Sequence, residues 1–155
     1  MSRRISTKKR FPERDSKYDN FLVSLLINRI MRCGKKLLSK RIISKAFEFI
    51  ELKTSQNPLV ILEKAIRNIS PRVQLKAKRI GGATYQVPTL VSKFHSTNIA
   101  IRWIVEYARK KAGKGMGIKL GNELLEGAKG LGNSIKKKEE THKMAEANKA
   151  FAQFR

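Results

Sequence analysis

Apolar residues recur along this chain at spacings of three and four, and the rhythm changes only once. From Tyr18, the positions Phe21, Leu22, Leu25, Leu26 and Ile30 fall on one helical face, and Gly34 is the expected stop. Leu38, Ile42, Ile43, Ala46, Phe49 and Ile50 predict a second amphipathic helix that ends before the polar KTSQN. Asn57 followed by Pro58 predicts the start of a third. Asn caps free backbone N–H groups, and proline at the first helical position forfeits no hydrogen bond. Leu59, Leu62, Ala65, Ile66 and Ile69 are its apolar positions, and Ser70-Pro71 closes it. A fourth helix begins near Thr97 with the stripe Ala100, Trp103, Ile104, Tyr107 and Ala108, which makes Trp103 and Tyr107 core aromatics. A fifth carries Ile118, Leu124, Leu125 and Ala128. The last begins near Ser134, with Met144, Ala147, Phe151 and Phe154 in its second half and little to bury in its first.

Between the third and fourth helices the period falls to two. The segment KAKRIGGATYQVP, Lys76 to Pro88, predicts a β-hairpin over about residues 72–90. Its turn is Gly81-Gly82, since both central positions of a two-residue loop take positive φ without a Cβ clash. Alternation sends Gln74, Lys76 and Lys78 one way and Val73, Leu75 and Ala77 the other, so one face is expected to rest on the helices and the other to present cations. A lone hairpin is marginal in water. Beyond Lys78 the tip is expected to depend on a polyanion for support. The chain therefore predicts an all-α, mainly helical single domain of about six helices over residues 15–155, with a protruding two-stranded hairpin, preceded by a basic arm over residues 1–14. No internal repeat or long linker divides it.

Charge adds the partner. Among 155 residues, 35 Lys and Arg face 12 Asp and Glu, leaving +23, a self-repulsion that an anionic partner would relieve. A mixed-sign run such as KKKEE, Lys136 to Glu140, is an ordinary exposed helix end. Elsewhere the cations cluster with few acids beside them: Arg3, Arg4, Lys8, Lys9 and Arg10 in the arm, Lys35 and Lys36 opening helix two, Lys76, Lys78 and Arg79 in the ribbon, and Arg109, Lys110, Lys111 and Lys114 ending helix four. Such blocks at turns and tips reach several phosphate strands at once. Spread clusters without a helix-turn-helix, zinc finger or RNA-recognition motif suit an irregularly folded RNA better than duplex DNA. A non-specific nucleic-acid-compacting protein is the alternative.

Catalysis finds little support. Gly113, Gly115 and Gly117 match neither phosphate-loop spacing and follow a helix, so AGKGMG reads as a helix connection. His95 and His142 have no nucleophile or paired acid at a recognisable spacing, and they read as surface or RNA-contacting residues. Cys33 reads as a small apolar residue closing helix one; a single cysteine excludes an internal disulfide and suits a reducing compartment. No metal-ligand cluster, cofactor motif or membrane-spanning run appears, and the N-terminus lacks the apolar core of a signal peptide.

The segments RIMRCGKKLLSKRII, KAKRIGGATYQVP, AIRWIVEYARKK and KKKEETHKMAEANKAFAQFR, in that order, resemble the family of protein seven of the small ribosomal subunit in its bacterial and organellar form. The resemblance implies a helical domain with a hairpin that binds the 3′ major domain of small-subunit rRNA and nucleates assembly of the subunit head. It also implies a place near the exit-site tRNA and the mRNA path, beside small-subunit proteins nine and eleven. Carried over by position, the RNA-facing residues are Arg3 and Arg4, Lys35 and Lys36, Lys76, Lys78, Arg79, Gly81 and Gly82, Arg102, Arg109 to Lys111, and Lys114 with Met116. The glycine-rich AGKGMG departs from the family pattern. The MSRR start, the AQFR ending and the abundance of Lys, Ile and Asn resemble plastid members most, with a bacterial cytoplasm or mitochondrion as the alternative.

Overall fold

The structure, a computed structural model, describes residues 11–154. Six α-helices run in the order α1 (Phe21–Ile30), α2 (Lys36–Thr54), α3 (Pro58–Ile69), α4 (Lys93–Lys110), α5 (Met116–Ala128) and α6 (Asn133–Ala147). Strands β1 (Val73–Ile80) and β2 (Ala83–Leu90) stand between α3 and α4, and a 3-10 turn, Lys149–Phe154, follows α6.

Local chemistry explains the boundaries. Asn20 and Asn57 each accept a backbone N–H two residues on, at 2.8 and 2.9 Å, and start α1 and α3. Helix α1 stops at Ile30, four residues before Gly34, because Met31 is already extended. The chain then turns through Cys33 (φ 51°) and Gly34 (φ 70°), closed by the Lys35 N–H on the Arg32 carbonyl at 3.1 Å. Cys33 is thus an exposed turn residue and not an apolar plug at the helix end. Helix α4 starts at Lys93, one turn before the expected Thr97.

The core lies around α5, which touches α2, α3, α4 and α6. Its inward face is Gly117, Leu120, Gly121, Glu123, Leu124 and Gly127, while Ile118, an expected core residue, is exposed. The inward glycines decide this. A Cβ at Gly121 would lie 2.7 Å from Phe49 Cδ1 and 3.3 Å from the Ala46 carbonyl, so α2 and α5 approach backbone to backbone. Hydrophobic periodicity counts large side chains and misses a face made of absences. The same displacement appears on α2, where Ser39, Ile43, Ala46, Phe47 and Ile50 are buried and Leu38 is exposed. Trp103 and Tyr107 are half-buried; the fully enclosed positions of α4 are Ala100, Ile101, Ile104, Val105 and Ala108. Gly121→Val should lower unfolding free energy by about 2 to 3 kcal/mol through overpacking, measured by urea denaturation. A wild-type midpoint would mean that α2 and α5 are not in close contact there.

Helix α6 also departs from expectation. Its first turn buries Ser134 and Ile135, whereas Met144 and Ala147 in the expected stripe are exposed; the side chain of Phe154 lies outside the described residues. Lys138 Nζ donates to the Asn68 carbonyl at 2.6 Å, tying the helix to α3.

The hairpin pairs Val73 with Leu90 through Ile80 with Ala83, closed by Gly81 (φ 56°) and Gly82 (φ 91°) as the two-residue turn requires. Its support is partly the protein's own. Val87, opposite Lys76, is buried, and Tyr85, opposite Lys78, packs at a tilt against Phe151 of the C-terminal turn with ring centroids 5.1 Å apart. Directly opposed residues share a face, so the face bearing the cations is also packed against the chain's end. The expected division is therefore corrected: Val73, Leu75 and Ala77 line an open cleft. Support reaches the Lys78–Tyr85 pair, and the glycine turn beyond it is exposed.

At the hairpin base the Arg72 N–H donates to His142 Nε2 at 3.2 Å, which requires a neutral ring acceptor. Burial first, then the charges of Lys138 and Arg72, lower the pKa of His142. Below the unfolded value of about 6.5 the unfolded chain therefore binds the proton more readily. This contribution to stability is present above about pH 6.5 and is lost as pH falls through the lowered folded value. Between about pH 7 and pH 5, the wild-type urea midpoint should fall more than that of His142→Gln. Equal slopes would remove His142 as the cause.

Candidate nucleic-acid interface

Among the described residues, no α-helix carries an acidic residue in its first turn. Helix N-termini expose unpaired N–H groups and a partial positive charge, which a protein ordinarily balances with Asp or Glu. Here cations stand there instead: Lys35 and Lys36 at the start of α2, and Lys114 just before α5. Neither helix has a side-chain cap. Uncapped N–H groups beside lysine cations are the chemistry of an anion-binding end.

Three clefts connect the clusters. The first, between the hairpin, α4 and α6, includes Val73, Leu75, Ala77, Trp103, Met144 and Arg102. A second, between α1 and α4, is lined by Arg29, Arg32, Arg102, Val105, Glu106, Arg109 and Lys110. The third, toward α5, shares Arg32 and Arg109 and adds Lys35, Leu38 and Met116. Arg102 joins the first to the second; Arg32 and Arg109 join the second to the third. One cationic track thus runs from the ribbon across α4 to the start of α5, bringing Arg102, Arg109, Lys110, Lys35 and Met116 together. Lys76, Lys78, Arg79, Gly81 and Gly82 are exposed on the ribbon, and Lys36 and Lys114 are exposed nearer the helix starts. The arm residues Arg3, Arg4, Lys8, Lys9 and Arg10 lie outside the described residues. Phe11, where the described chain begins, meets Phe94 at the start of α4 edge to face, centroids 5.2 Å apart.

Sequence reasoning missed Arg29 and Arg32. They sit singly among apolar residues, so no run of charge marks them, and only the α1–α4 packing gathers them with Arg102 and Arg109. Arg109 Nη2 donates to the Ile30 carbonyl at 3.1 Å, fixing the guanidinium across the helix pair. Burial and then the Arg32 charge lower its pKa, the effect expected of a cation held beside another cation.

The expectation that the end of α4 is uncompensated fails at two residues. Lys110 pairs with Glu106 at 2.7 Å on the surface. Lys111 turns inward, its Nζ 2.9 Å from the fully buried Glu123 and 2.6 Å from Glu126. Glu123 in turn accepts from Ser134 Oγ at 2.6 Å and from Ser134 N–H at 3.3 Å, so α5 supplies a carboxylate to the start of α6. Lys111 is committed to this internal network by geometry. Its proton is held more tightly than usual: burial opposes the charge, but the carboxylates of Glu126 and Glu123 beside it outweigh burial.

The other residues weighed for chemistry are dispersed. His95 lies 3.2 Å from Gln74, His142 serves the hairpin base, and Gly113 and Gly115 take φ of 120° and 81° in the α4–α5 connection. Among the described residues no group of three or more His, Cys, Asp or Glu is placed to hold a metal, and no helix is long and apolar enough to cross a membrane.

A helical body with a protruding cationic ribbon places the chain in the class of small, strongly basic, mainly helical proteins. Within that class, the chain belongs to the ribosomal protein S7p/S5e family, whose model matches residues 1–149. It is 58% identical over 144 residues to the small ribosomal subunit protein uS7c of Trieres chinensis, covering 93% of this chain and 91% of that one. It is 50% identical over 155 residues to the small ribosomal subunit protein uS7 of Synechococcus elongatus, covering 100% of this chain and 99% of that one. To uS7 of Thermosynechococcus vestitus it is 49% identical at the same coverage. The family is one of structural ribosomal proteins, of chloroplast and cyanobacterial type in these relatives.

Proposed function

We propose that this protein binds the 3′ major domain of small-subunit rRNA, nucleates assembly of the subunit head, and works in the plastid ribosome. The observation that carries the RNA-binding part is the continuous track joined by Arg102 and Arg109, with uncapped helix starts at Lys35 and Lys114 beside it. Phosphates are held by Lys35, Lys36, Arg102, Arg109 and Lys114, with Lys110 reaching outward from its surface pair. Lys76, Lys78 and Arg79 carry the ribbon between RNA helices, where Gly81 and Gly82 allow close approach. Met116, beside Arg109, offers an apolar contact to a base. The arm residues Arg3, Arg4, Lys8, Lys9 and Arg10 extend the same electrostatic clamp over residues 1–14. Small-subunit proteins nine and eleven are the proposed neighbours, with exit-site tRNA and mRNA close by.

Binding of the purified protein to the 3′ major-domain RNA, a length-matched scrambled RNA and a DNA duplex tests this at physiological salt. Strong preference for the rRNA fragment is expected. Equal binding to all three would reduce the +23 to undirected charge and favour nucleic-acid compaction.

A further inference from the structure

We propose that Lys138 and His142 are positioning residues for the ribbon: one turn apart on α6, they hold the connection from α3 to β1 and so fix the direction in which the hairpin leaves the body. That direction is a property of the free protein, and only its consequence for RNA rests on the function proposed above.

Two contacts of matching spacing carry the inference. Lys138 Nζ donates to the Asn68 carbonyl at 2.6 Å, and His142 Nε2 accepts the Arg72 N–H at 3.2 Å. Four residues separate Lys138 from His142 on the helix, and four separate Asn68 from Arg72 on the connection. The segment that launches β1 therefore lies along one turn of α6, about 6 Å of its length. Asn68 stands in the last turn of α3, where carbonyls lack intrahelical partners and favour a cation. Its side chain donates to the Gly127 and Ala128 carbonyls at 3.0 and 3.1 Å, so the point held by Lys138 is itself tied to α5.

Apolar packing alone does not set this geometry. Ile135 and Ala145 are the buried apolar residues of α6, too little for a stripe that fixes the rotation of a helix. Directional bonds from Ser134, Lys138 and His142, spaced by four along one face, fix it instead. On the other side of the connection, Ser96 Oγ of α4 donates to the Pro71 carbonyl at 2.7 Å. A single such point leaves the ribbon free to swing about it. Contacts before and after it, at Asn68 and Arg72, remove the swing. The root demands this because each strand has 8 residues, a length of about 27 Å at about 3.4 Å per residue. A tilt of about 10° at the root displaces the glycine turn by about 5 Å, more than a hydrogen bond to phosphate tolerates.

The test reads the direction in the free protein. Spin labels on Cys33, exposed and the chain's one cysteine, and on Thr84→Cys, exposed beside the glycine turn, report the distance from body to tip by pulsed electron spin resonance. The labelled parent should give one narrow distance distribution. Lys138→Met/His142→Phe should broaden it, whereas His142→Gln, whose amide oxygen still accepts from Arg72, should keep it narrow. Circular dichroism checks the helices of each; where the double variant unfolds, His142→Phe against His142→Gln decides the same question. Unlabelled variants that broaden the distribution should bind the 3′ major-domain RNA about threefold to tenfold more weakly, the scale of ordering a loosened element on association, with the salt slope unchanged. A distribution as narrow in the Phe variants as in the parent would overturn the assignment. So would a slope lowered by about 0.7 to 0.9 in Lys138→Met, since Lys138 would then be a phosphate contact. Broadening in a protein whose wild type shows no preference for the rRNA fragment would overturn the RNA-binding function and leave the positioning role standing.

Discussion

Lys111→Ala should lower the stability of the free protein by about 3 kcal/mol and change its affinity for rRNA little, the reverse of what a phosphate contact would do. Glu123 has 0% exposure, and Lys111 Nζ is the cation 2.9 Å away that balances it. Removing one partner of such a pair strands a charge in a medium that solvates it poorly, which costs about 3 to 5 kcal/mol. Lys111 retains some exposure and is shared with the half-exposed Glu126, so the lower end applies. The double variant Lys111→Ala/Glu123→Gln should recover most of the loss, since glutamine still accepts from Ser134 Oγ and carries no charge. Urea denaturation at neutral pH measures both. The raised pKa of Lys111 sets the sign at alkaline pH: its contribution is full below the unfolded value of about 10.4 and is lost as pH rises through the higher folded one. A wild-type midpoint for Lys111→Ala, with weakened RNA binding, would return Lys111 to the interface.

Lys111 also marks the limit of what the chain makes legible. The run ARKK looks uncompensated because its partners, Glu123 and Glu126, lie twelve and fifteen residues further on, on the next helix. The hairpin and the cap of α3 were readable because their causes are local: two glycines at positive φ, and Asn57 ahead of Pro58. Helix number and order followed from spacing for the same reason. What stayed hidden depends on packing between elements. Gly117 and Gly121 define the buried face of α5 through the closeness of α2, and no hydrophobic pattern contains that information. Arg29 and Arg32 become part of a charged cleft only when α1 lies against α4. The cations that sequence alone marked are clustered along the chain; those it missed are clustered only in space.

Replacing Lys76, Lys78 and Arg79 together by Ala should reduce the salt slope of rRNA binding by roughly 2 to 3 and the affinity by more than a hundredfold, while thermal melting of the free protein stays nearly unchanged. All three side chains are exposed, and the ribbon's packing is carried by Val87 against the body, Tyr85 against Phe151, and the Arg72–His142 bond at the base. Phe151→Ala separates the two contributions. It removes the ring that Tyr85 packs against without altering charge, so it should weaken binding modestly at every salt concentration and leave the slope at its wild-type value. The ribbon would then lose orientation, which costs ordering entropy on binding, but not its phosphate contacts. If the triple Ala variant instead melts well below wild type, the lysine stems are covering Val87 and Tyr85 and hold the ribbon through packing. A slope lowered equally in Phe151→Ala would mean that the C-terminal turn positions the cations themselves.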